Sequence, residues 1–356
     1  DARMKKALEG IKVLDVSRAL AGPYCTMMLA DMGAEVIKVE MPGTGDDSRG
    51  WGPPFIEGES AYFMSINRNK KSITLDMKGD KAIEIIMKLI KGSDVLVENF
   101  RPGAMERLGL AYQQVKAVNP RLVYCSISGF GQNGPYRMLP GFDQVLQGMG
   151  GLMSITGEPD GPPVKVGVPI ADITAGMFAA YGIAIALFTR EKTGSGQMVD
   201  ISLLDSQVAL LTYRAGSFFA SGEIPKRVGS GHPVIVPYQA FKARDVYINI
   251  AVGNDQLWGK FCKAAGLEGI VNDPRFATNA KRVQNRDEVV KVVGDLIATK
   301  NGEEWLKILT DAGIPCGPIY TVDKIFSDPQ VIHRQMVTEW HHPKSCTINV
   351  TGNPVK

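Results

Sequence analysis

The residue with the clearest chemical potential is Asp172, an aspartate that directly precedes an apolar helical stretch. A carboxylate at a helix N-terminus can cap the first backbone N–H groups, and those groups and the helix dipole keep it ionised. An ionised, oriented carboxylate is also what nucleophilic attack on a thioester carbonyl requires. The residues alone favour the capping interpretation and leave the nucleophile as the alternative.

Motifs for several other chemistries are missing from the sequence. No Gly-x-Gly-x-x-Gly opens a helix, no P-loop occurs, and no Gly-x-Ser-x-Gly elbow can carry a serine nucleophile. The four histidines are scattered, and the adjacent pair His341 and His342 would point to opposite sides of an extended chain. We therefore expect no metal site, and a nucleophilic carboxylate remains one of the options.

The elements that must position Asp172 alternate between short β-rich runs and helical patterns. Strands are predicted over residues 11–16, 35–39, 72–76, 94–97 and 122–127. Helices are predicted up to residue 32 and over residues 79–90, where apolar side chains recur at i, i+3, i+4 and i+7. Strand–helix repetition with apolar strands is typical of a parallel sheet covered on both faces, so the predicted fold class is α/β.

The pattern changes after residue 205. A long helical stretch is predicted over residues 206–227, followed by a strand over residues 246–252. Further helices are predicted near residues 256–265, 286–298 and 303–312, and strands within residues 336–350. This second pattern predicts a smaller α+β domain.

Composition excludes several kinds of partner. The 356 residues include 40 basic and 37 acidic side chains, a formal charge of +3, so no net field favours nucleic acid or an anionic membrane. The apolar stretch over residues 175–188 is too short to span a bilayer and predicts a buried core helix. The scattered cysteines favour a reducing compartment, either the cytoplasm or a mitochondrial matrix, and are expected to be buried: Cys25, Cys125, Cys262, Cys316 and Cys346.

Seven short segments occur in an order that matches a known family. They are residues 14–23, GAEVIKVE at 33–40, NRNKKS at 67–72, VENFRPG at 97–103, SGFGQNGP at 128–135, TGSGQ at 193–197 and GIPCGP at 313–318. In this combination the sequence resembles the family III CoA-transferases, which include formyl-CoA transferases, carnitine-type transferases and α-methylacyl-CoA racemases. The resemblance implies an enzyme that uses coenzyme A thioesters as substrates and keeps no permanently bound cofactor.

The resemblance also implies roles for individual residues. The nucleophilic aspartate of the family corresponds to Asp172. Its coenzyme A contacts correspond to Ala19, Leu20, Ala21, Leu75, Lys78, Asn99, Phe100 and Arg107. Lys78 and Arg107 suit phosphates, while Asn99 and Phe100 suit amide and aromatic or apolar surface. The structural alternative is that the two cations are solvated and that Phe100 belongs to the core.

The family fold implies an interlocked homodimer with active sites between subunits. In that arrangement we expect a large Rossmann-like CoA-binding domain over residues 1–205, completed by residues 321–356. A linker helix over residues 206–227 would join it to a small α+β domain over residues 228–320. We also expect Met4 to be the native start, and the protein to continue beyond Lys356, as its relatives do.

Three activities are compatible with the resemblance. A racemase needs two acid/base groups, and the racemases carry a histidine where this chain has Phe142, which cannot exchange a proton. A non-catalytic CoA-binding protein would have no need for Asp172. We therefore favour a CoA-transferase that works through a mixed anhydride and an aspartyl-CoA thioester, and keep the racemase and the binding protein as alternatives.

Substrate preference is predicted from three further segments. Residues 232–233, 236–242 and 46–54 resemble members of the family that use dicarboxylates, with succinyl-CoA as donor and glutarate as acceptor. A dicarboxylate has a distal anion that needs a cation, and Arg18 and Arg49 lie in loops that line the active site in the family. We take both arginines as candidate substrate residues; the alternative for each is a surface ion pair.

Overall fold

The computed structural model describes residues 6–342 and 347–356, so the expectations for Met4 and Cys346 lie outside the described residues. The chain divides into two units. Unit 1 comprises Asp1–Ser154, Lys165–Ile224 and Ile332–Lys356, and unit 2 comprises Ile155–Val164 and Pro225–Val331.

Both units of the chain contain strands and helices. The strands are β1 (Lys12–Asp15), β2 (Glu35–Glu40), β3 (Phe55–Ile56), β4 (Glu59–Ser60), β5 (Lys70–Thr74), β6 (Val95–Glu98), β7 (Val123–Ser128), β8 (Met198–Ser202), β9 (Tyr238–Lys242), β10 (Tyr247–Ala251), β11 (Cys316–Pro318), β12 (Val337–His341) and β13 (Thr347–Thr351). The helices are α1 (Ala21–Asp31), α2 (Ala61–Ile66), α3 (Asp80–Lys91), α4 (Ala104–Arg107), α5 (Tyr112–Val118), α6 (Asp143–Met149), α7 (Leu152–Ile155), α8 (Ile170–Thr193), α9 (Leu203–Leu210), α10 (Thr212–Ser221), α11 (Asp255–Ala265), α12 (Asn279–Gln284), α13 (Arg286–Ile297), α14 (Gly302–Asp311), α15 (Val322–Phe326) and α16 (Pro329–His333).

A six-stranded parallel sheet forms the centre of unit 1, in the order β5-β2-β1-β6-β7-β8. Renumbered within the sheet this is the order 3-2-1-4-5-6 of doubly wound dinucleotide-binding folds. The chain changes direction across the sheet between β1 and β6, and in such folds ligands bind at this switch point, beyond the carboxyl ends of the strands. The predicted α/β class with a Rossmann-like sheet is confirmed.

The sheet is covered on both faces because its central strands carry apolar side chains on both sides. Every residue of β6 and β7 is buried. Helices α1 and α8 contribute to the core on one face, with Cys25, Ala175 and Ile183 fully buried. Ile86 and Ile90 of α3 lie in the core of the other face, as the spacing of the apolar residues predicts.

Helix α8 is longer than its sequence pattern indicates. It spans 24 residues, so the expectation that the apolar stretch is too short to cross a bilayer is wrong on length. Half of its most apolar window is nevertheless buried within unit 1, as for a core helix. Its first turns lie very close to α1, since a Cβ on Gly176 would come within 2.7 Å of the Ala21 carbonyl oxygen. This close approach fixes the start of α8 beside the loop after β1.

Three sequence predictions in unit 1 need correction. Strand β5 begins at Lys70 rather than at residue 72, because Lys70 buries its charged side chain against an aspartate inside the protein. Strand β8 was not predicted, since Asp200 at its centre interrupts the apolar pattern. The helical stretch over residues 206–227 is two helices, α9 and α10, which meet at Thr212, a residue with positive φ.

Unit 2 contains an antiparallel sheet in the order β11-β10-β9. Helices α11, α13 and α14 begin within a residue of the predicted positions and surround a core that includes Trp258, Phe261 and Trp305. At the end of the chain, β12 and β13 pair as antiparallel strands within the predicted region.

Candidate active site

A cavity of about 370 Å³ opens at the switch point of the parallel sheet. Its walls come from the loops that follow β1, β6 and β7, from α2 and from the first turn of α8. The lining residues relevant here are Arg18, Ala19, Leu20, Ala21, Trp51, Tyr62, Asn99, Phe100, Arg101, Arg137, Phe142 and Asp172. The fold thus brings Asp172 to the place where doubly wound proteins bind their ligands.

Asp172 does not cap its helix. Helix α8 begins at Ile170 with Pro169 in the capping position, so Asp172 is the third residue of the first turn. The acceptor for the free N–H groups is Asp143, at the start of α6, whose Oδ1 lies 2.8 Å from the Ala171 nitrogen and 3.4 Å from the Asp172 nitrogen. The capping interpretation is wrong because another carboxylate, distant in sequence, occupies that role.

The Asp172 carboxylate is held in an environment that disfavours its charge. Burial and the nearby charge of Asp143 raise the pKa of Asp172 to about 7 from an ordinary value of 3.8. No hydrogen bond to this carboxylate occurs within the described residues. The expectation that helix N–H groups keep it ionised is therefore wrong for this structure. When ionised, a carboxylate without donors is more basic, and thus more nucleophilic, than a capped one.

Tyr62 is a neighbour of Asp172 that sequence reasoning missed. Burial and the charges of Asp172 and Asp143 raise the pKa of Tyr62 to about 12, so its phenol keeps a proton at neutral pH. Its ring lies edge-on to Trp51, with ring centroids 5.0 Å apart. In the sequence, Tyr62 stands among apolar residues typical of a core helix, and nothing there indicates its position in a cavity.

A second cavity, of about 250 Å³, lies on the other side of the loop after β1. Its wall is mostly apolar, including Val16, Val39 and Leu75, and it also includes the exposed cations Lys78 and Arg107. This combination suits a flat apolar group that carries phosphates.

The two cavities share two lining residues. Arg18 and Phe100 line both, and the Arg18 guanidinium lies over the Phe100 ring, 5.0 Å from its centroid. All the residues expected to contact coenzyme A therefore line one cavity or the other. Phe100 is only partly buried, so it is not solely a core residue.

Arg49 does not line the first cavity, which contains Asp172 and is called the Asp172 cavity below. Its guanidinium donates to both oxygens of Glu40, at 2.7 and 2.8 Å, and lies 3.3 Å from Glu59. It also covers the ring of Phe63, at 3.8 Å from the centroid. With its donors engaged in these contacts, Arg49 serves the structural role that the sequence left as an alternative, and the prediction that it holds a substrate carboxylate is not supported.

Two other arginines join Arg18 at the Asp172 cavity. Arg101 follows β6 and Arg137 lies in the long loop after β7. Across residues 6–342 and 347–356, no carboxylate forms an ion pair with any of these three side chains. Neither Arg101 nor Arg137 was predicted; Arg101 belongs to a segment quoted for the family resemblance, and Arg137 follows one closely.

A parallel sheet of this order, with a cavity and a buried carboxylate at its switch point, is the architecture of an α/β ligand-binding protein or enzyme. The chain matches the family model of CoA-transferase family III over residues 8–356 and belongs to that family. It is 45% identical, over its whole length and 82% of the relative, to succinyl-CoA:glutarate CoA-transferase of Mus musculus. It is 43% identical to succinate–glutarate CoA-transferase of Agrobacterium fabrum, over 92% of this chain and 83% of that protein.

Solved structures give the same result for the fold. A CAIB/BAIF family protein from Brucella suis superposes with a TM-score of 0.87 and 42% sequence identity. The match covers 99% of this chain and 93% of that one. The enzyme class expected from the resemblance, a family III CoA-transferase, is thereby confirmed.

Proposed function

We propose that this enzyme transfers coenzyme A from succinyl-CoA to glutarate, with Asp172 as the nucleophile. The observation that carries the proposal is the cavity itself, because it suits an anionic acyl substrate. Among the described residues, the carboxylate of Asp172 has no hydrogen-bond donor and the three arginines have no ion-pair partner. The names of the relatives, which are 43–45% identical, support the same pair of acids.

Every intermediate of the reaction is a thioester or an anhydride, so the acyl group stays activated throughout. A carboxylate oxygen of Asp172 attacks the thioester carbon, the carbon–sulfur bond breaks, and the thiolate leaves with its electron pair. The thiolate then attacks the aspartyl carbon of the mixed anhydride, and the donor carboxylate departs. Glutarate attacks the resulting aspartyl-CoA thioester, forming a second mixed anhydride and releasing the thiolate. The thiolate attacks the glutaryl carbon of this anhydride, the bond to the aspartyl oxygen breaks, and glutaryl-CoA and the Asp172 carboxylate are released. No net proton transfer is needed, and exclusion of water protects the intermediates.

Coenzyme A is proposed to occupy both cavities. The apolar cavity with Leu75, Lys78 and Arg107 suits the adenine and phosphates. The loop Ala19, Leu20 and Ala21, together with Asn99 and Phe100, would contact the pantetheine arm as it reaches Asp172. The phenol of Tyr62, protonated at neutral pH, is available to donate to the carbonyl oxygen that becomes negative.

The distal carboxylate of the dicarboxylate is proposed to meet Arg18, assisted by Arg101 or Arg137. A charge-assisted hydrogen bond in a partly dry cavity favours a diacid over its monoacid analogue. The racemase alternative gains no support, because Phe142 lines the Asp172 cavity at the position where a second acid/base group would be needed.

We further propose that the chain forms the interlocked homodimer of its family, in the cytoplasm or the mitochondrial matrix. Large apolar side chains lie exposed on α8 and α10, with Tyr181 66%, Phe188 64% and Phe219 80% exposed. Such a surface suits a second copy of the chain. The domain division at residues 205, 227 and 320 stays part of this proposal.

The test is CoA exchange by Asp172→Ala. We expect exchange between succinyl-CoA and glutarate to be lost, while coenzyme A binding by calorimetry stays within a few-fold of wild type. Binding should persist because the proposed nucleotide contacts lie in the other cavity. Near-normal turnover in a folded Asp172→Ala protein would reject Asp172 as the nucleophile. A wild type that turns over other acids but not these two would reject the substrate pair alone.

A further inference from the structure

A cluster of buried charges contacts the loop between β1 and α1, and the proposed reaction steps use none of it. Its members are Asp15 at the end of β1, Lys38 in β2, Asp46 and Lys70 at the start of β5. The side chains of Lys38 and Asp46 are each 1% exposed. Desolvation makes it unfavourable to bury charged groups, so we expect this cluster to have a role that compensates for the cost.

The charges form two ion pairs. Lys38 Nζ lies 2.7 Å from Asp46 Oδ2, and Lys70 Nζ lies 3.2 Å from Asp15 Oδ2. Burial opposes the charge of Asp15, but Lys70 and Lys38, together with hydrogen bonds from Ser17 and Thr26, outweigh burial and lower the pKa of Asp15 to about 2. Burial lowers the pKa of Lys70 to about 8, still above neutral pH. Replacing such pairs by apolar residues is often neutral for stability, so stability alone does not explain them.

The cluster also accepts and donates hydrogen bonds along the loop backbone. Asp15 Oδ1 accepts from the Ser17 nitrogen at 3.0 Å, and Lys38 Nζ donates to the Ser17 oxygen at 2.8 Å. Asp46 Oδ1 accepts from the Ala19 nitrogen at 3.1 Å. Between these two residues, the side chain of Asn99 holds both the nitrogen and the oxygen of Arg18, at 2.9 and 2.7 Å.

Ala19 needs this support because of its backbone conformation. Its φ of 65° lies in the left-handed region, which is unfavourable for residues with a Cβ. A strained residue of this kind persists only where its surroundings fix it, and such residues concentrate at functional sites. Here the strained residue directly follows Arg18, the side chain that lines both cavities.

We propose that Asp46, held in place by Lys38, is a positioning residue that fixes Ala19 and thereby sets where Arg18 and Leu20 meet the acyl-CoA. This inference rests on the proposed function, since it concerns the alignment of the thioester with Asp172. The proposed nucleotide-binding residues Lys78 and Arg107 lie outside this loop, in a cavity that Ser17, Arg18 and Asp46 also line. Loss of the Asp46 acceptor should therefore lower kcat much more than it raises KM for acyl-CoA, because misalignment affects chemistry more than binding.

The experiment compares two variants that differ in whether the side chain at position 46 offers an oxygen acceptor to the N–H groups of Ala19 and Ser48. Lys38→Met with Asp46→Asn removes both charges but keeps an amide oxygen for the Ala19 N–H. Lys38→Met with Asp46→Leu removes both charges and the acceptor. We expect the Asn variant to retain kcat within about threefold of wild type, and the Leu variant to lose on the order of tenfold to a hundredfold. KM for succinyl-CoA should change less than threefold in both.

Hydrogen exchange of the peptide that contains Ala19 gives a readout that does not require activity. Its amide should be protected in wild type and in the Asn variant and should exchange faster in the Leu variant. Equal kcat and equal protection in two folded variants would overturn the proposal. If the Leu variant does not fold, Asp46→Ala takes its place in the same background. A wild type without transfer activity would reject the proposed function instead, and the exchange comparison would still test the role of Asp46.

Discussion

The raised pKa of Asp172 predicts that its ionised carboxylate destabilises the folded protein. An acid whose pKa is about 7 in the folded state and 3.8 in its ordinary environment binds its proton more tightly when folded. Ionisation therefore lowers the free energy of unfolding as the pH rises through this window. At 1.36 kcal/mol for each pKa unit, the loss reaches about 4 kcal/mol per subunit above pH 7.

Asp172→Asn removes the charge while keeping the shape of the side chain, so it isolates this effect. The variant should match wild type in stability near pH 4, where the folded wild type is protonated. Its advantage should grow between about pH 4 and pH 7 and stay constant above. Part of the effect comes from Asp143. Asp172→Asn should therefore stabilise the protein less in an Asp143→Asn background than in wild type.

The assay is urea unfolding of both proteins at a series of pH values, followed by far-UV circular dichroism. The difference in free energy of unfolding between variant and wild type is plotted against pH. A difference that is the same at pH 4.5 and at pH 8 would refute the reasoning, as would an Asn variant that is less stable than wild type at pH 8. Either outcome would mean that the carboxylate is satisfied in the folded protein.

Three further predictions concern activity and assembly. Asp143→Asn keeps an acceptor for the Ala171 N–H but removes the charge, so the pKa of Asp172 should fall. The acid limb of the pH profile of kcat/KM should then move to lower pH, and an unmoved limb would contradict the effect of the Asp143 charge. Arg18→Met should reduce the preference for glutarate over butyrate by roughly tenfold to a hundredfold, whereas Arg49→Met, the matched control at an engaged guanidinium, should not change it. Equal loss of preference in both would reject the assignment of Arg18. Mass photometry of the full-length protein at nanomolar concentration should show a dimer, and a monomer mass would count against interlocked chains.

The fold could be predicted where hydrophobic pattern and position agree. The strands β6 and β7 are buried throughout and mostly apolar, and α3 has an unbroken apolar stripe, so the hydrophobic pattern was sufficient to predict them. The pattern failed at Lys70, whose charged side chain is buried, and at Asp200, which is exposed in β8. Lys70 and Asp200 lie within strands of the parallel sheet, and only the tertiary contacts of Lys70 with Asp15 explain why a lysine is tolerated there.

The candidate site could be predicted in its residue types but not in its geometry. Asp172 was singled out because it precedes an apolar stretch in the sequence and matches the aspartate of the family, yet the sequence could not show that Asp143, 29 residues away, takes the capping role. Arg18 and Arg49 were equivalent in sequence. The structure separates them, because Glu40 engages Arg49 while Arg18 remains at the cavity. Such distinctions depend on contacts between distant segments, which no local pattern contains.

The most direct test of the account is to trap the covalent intermediate on Asp172. The enzyme is mixed with succinyl-CoA without acceptor and treated with borohydride, which reduces an aspartyl thioester to the alcohol and so converts the aspartate to homoserine. Peptide mass spectrometry should then find homoserine at position 172 in wild type, and none in Asp172→Asn or without succinyl-CoA. Reduction at another carboxylate, or none in an enzyme that turns over, would contradict Asp172 as the nucleophile.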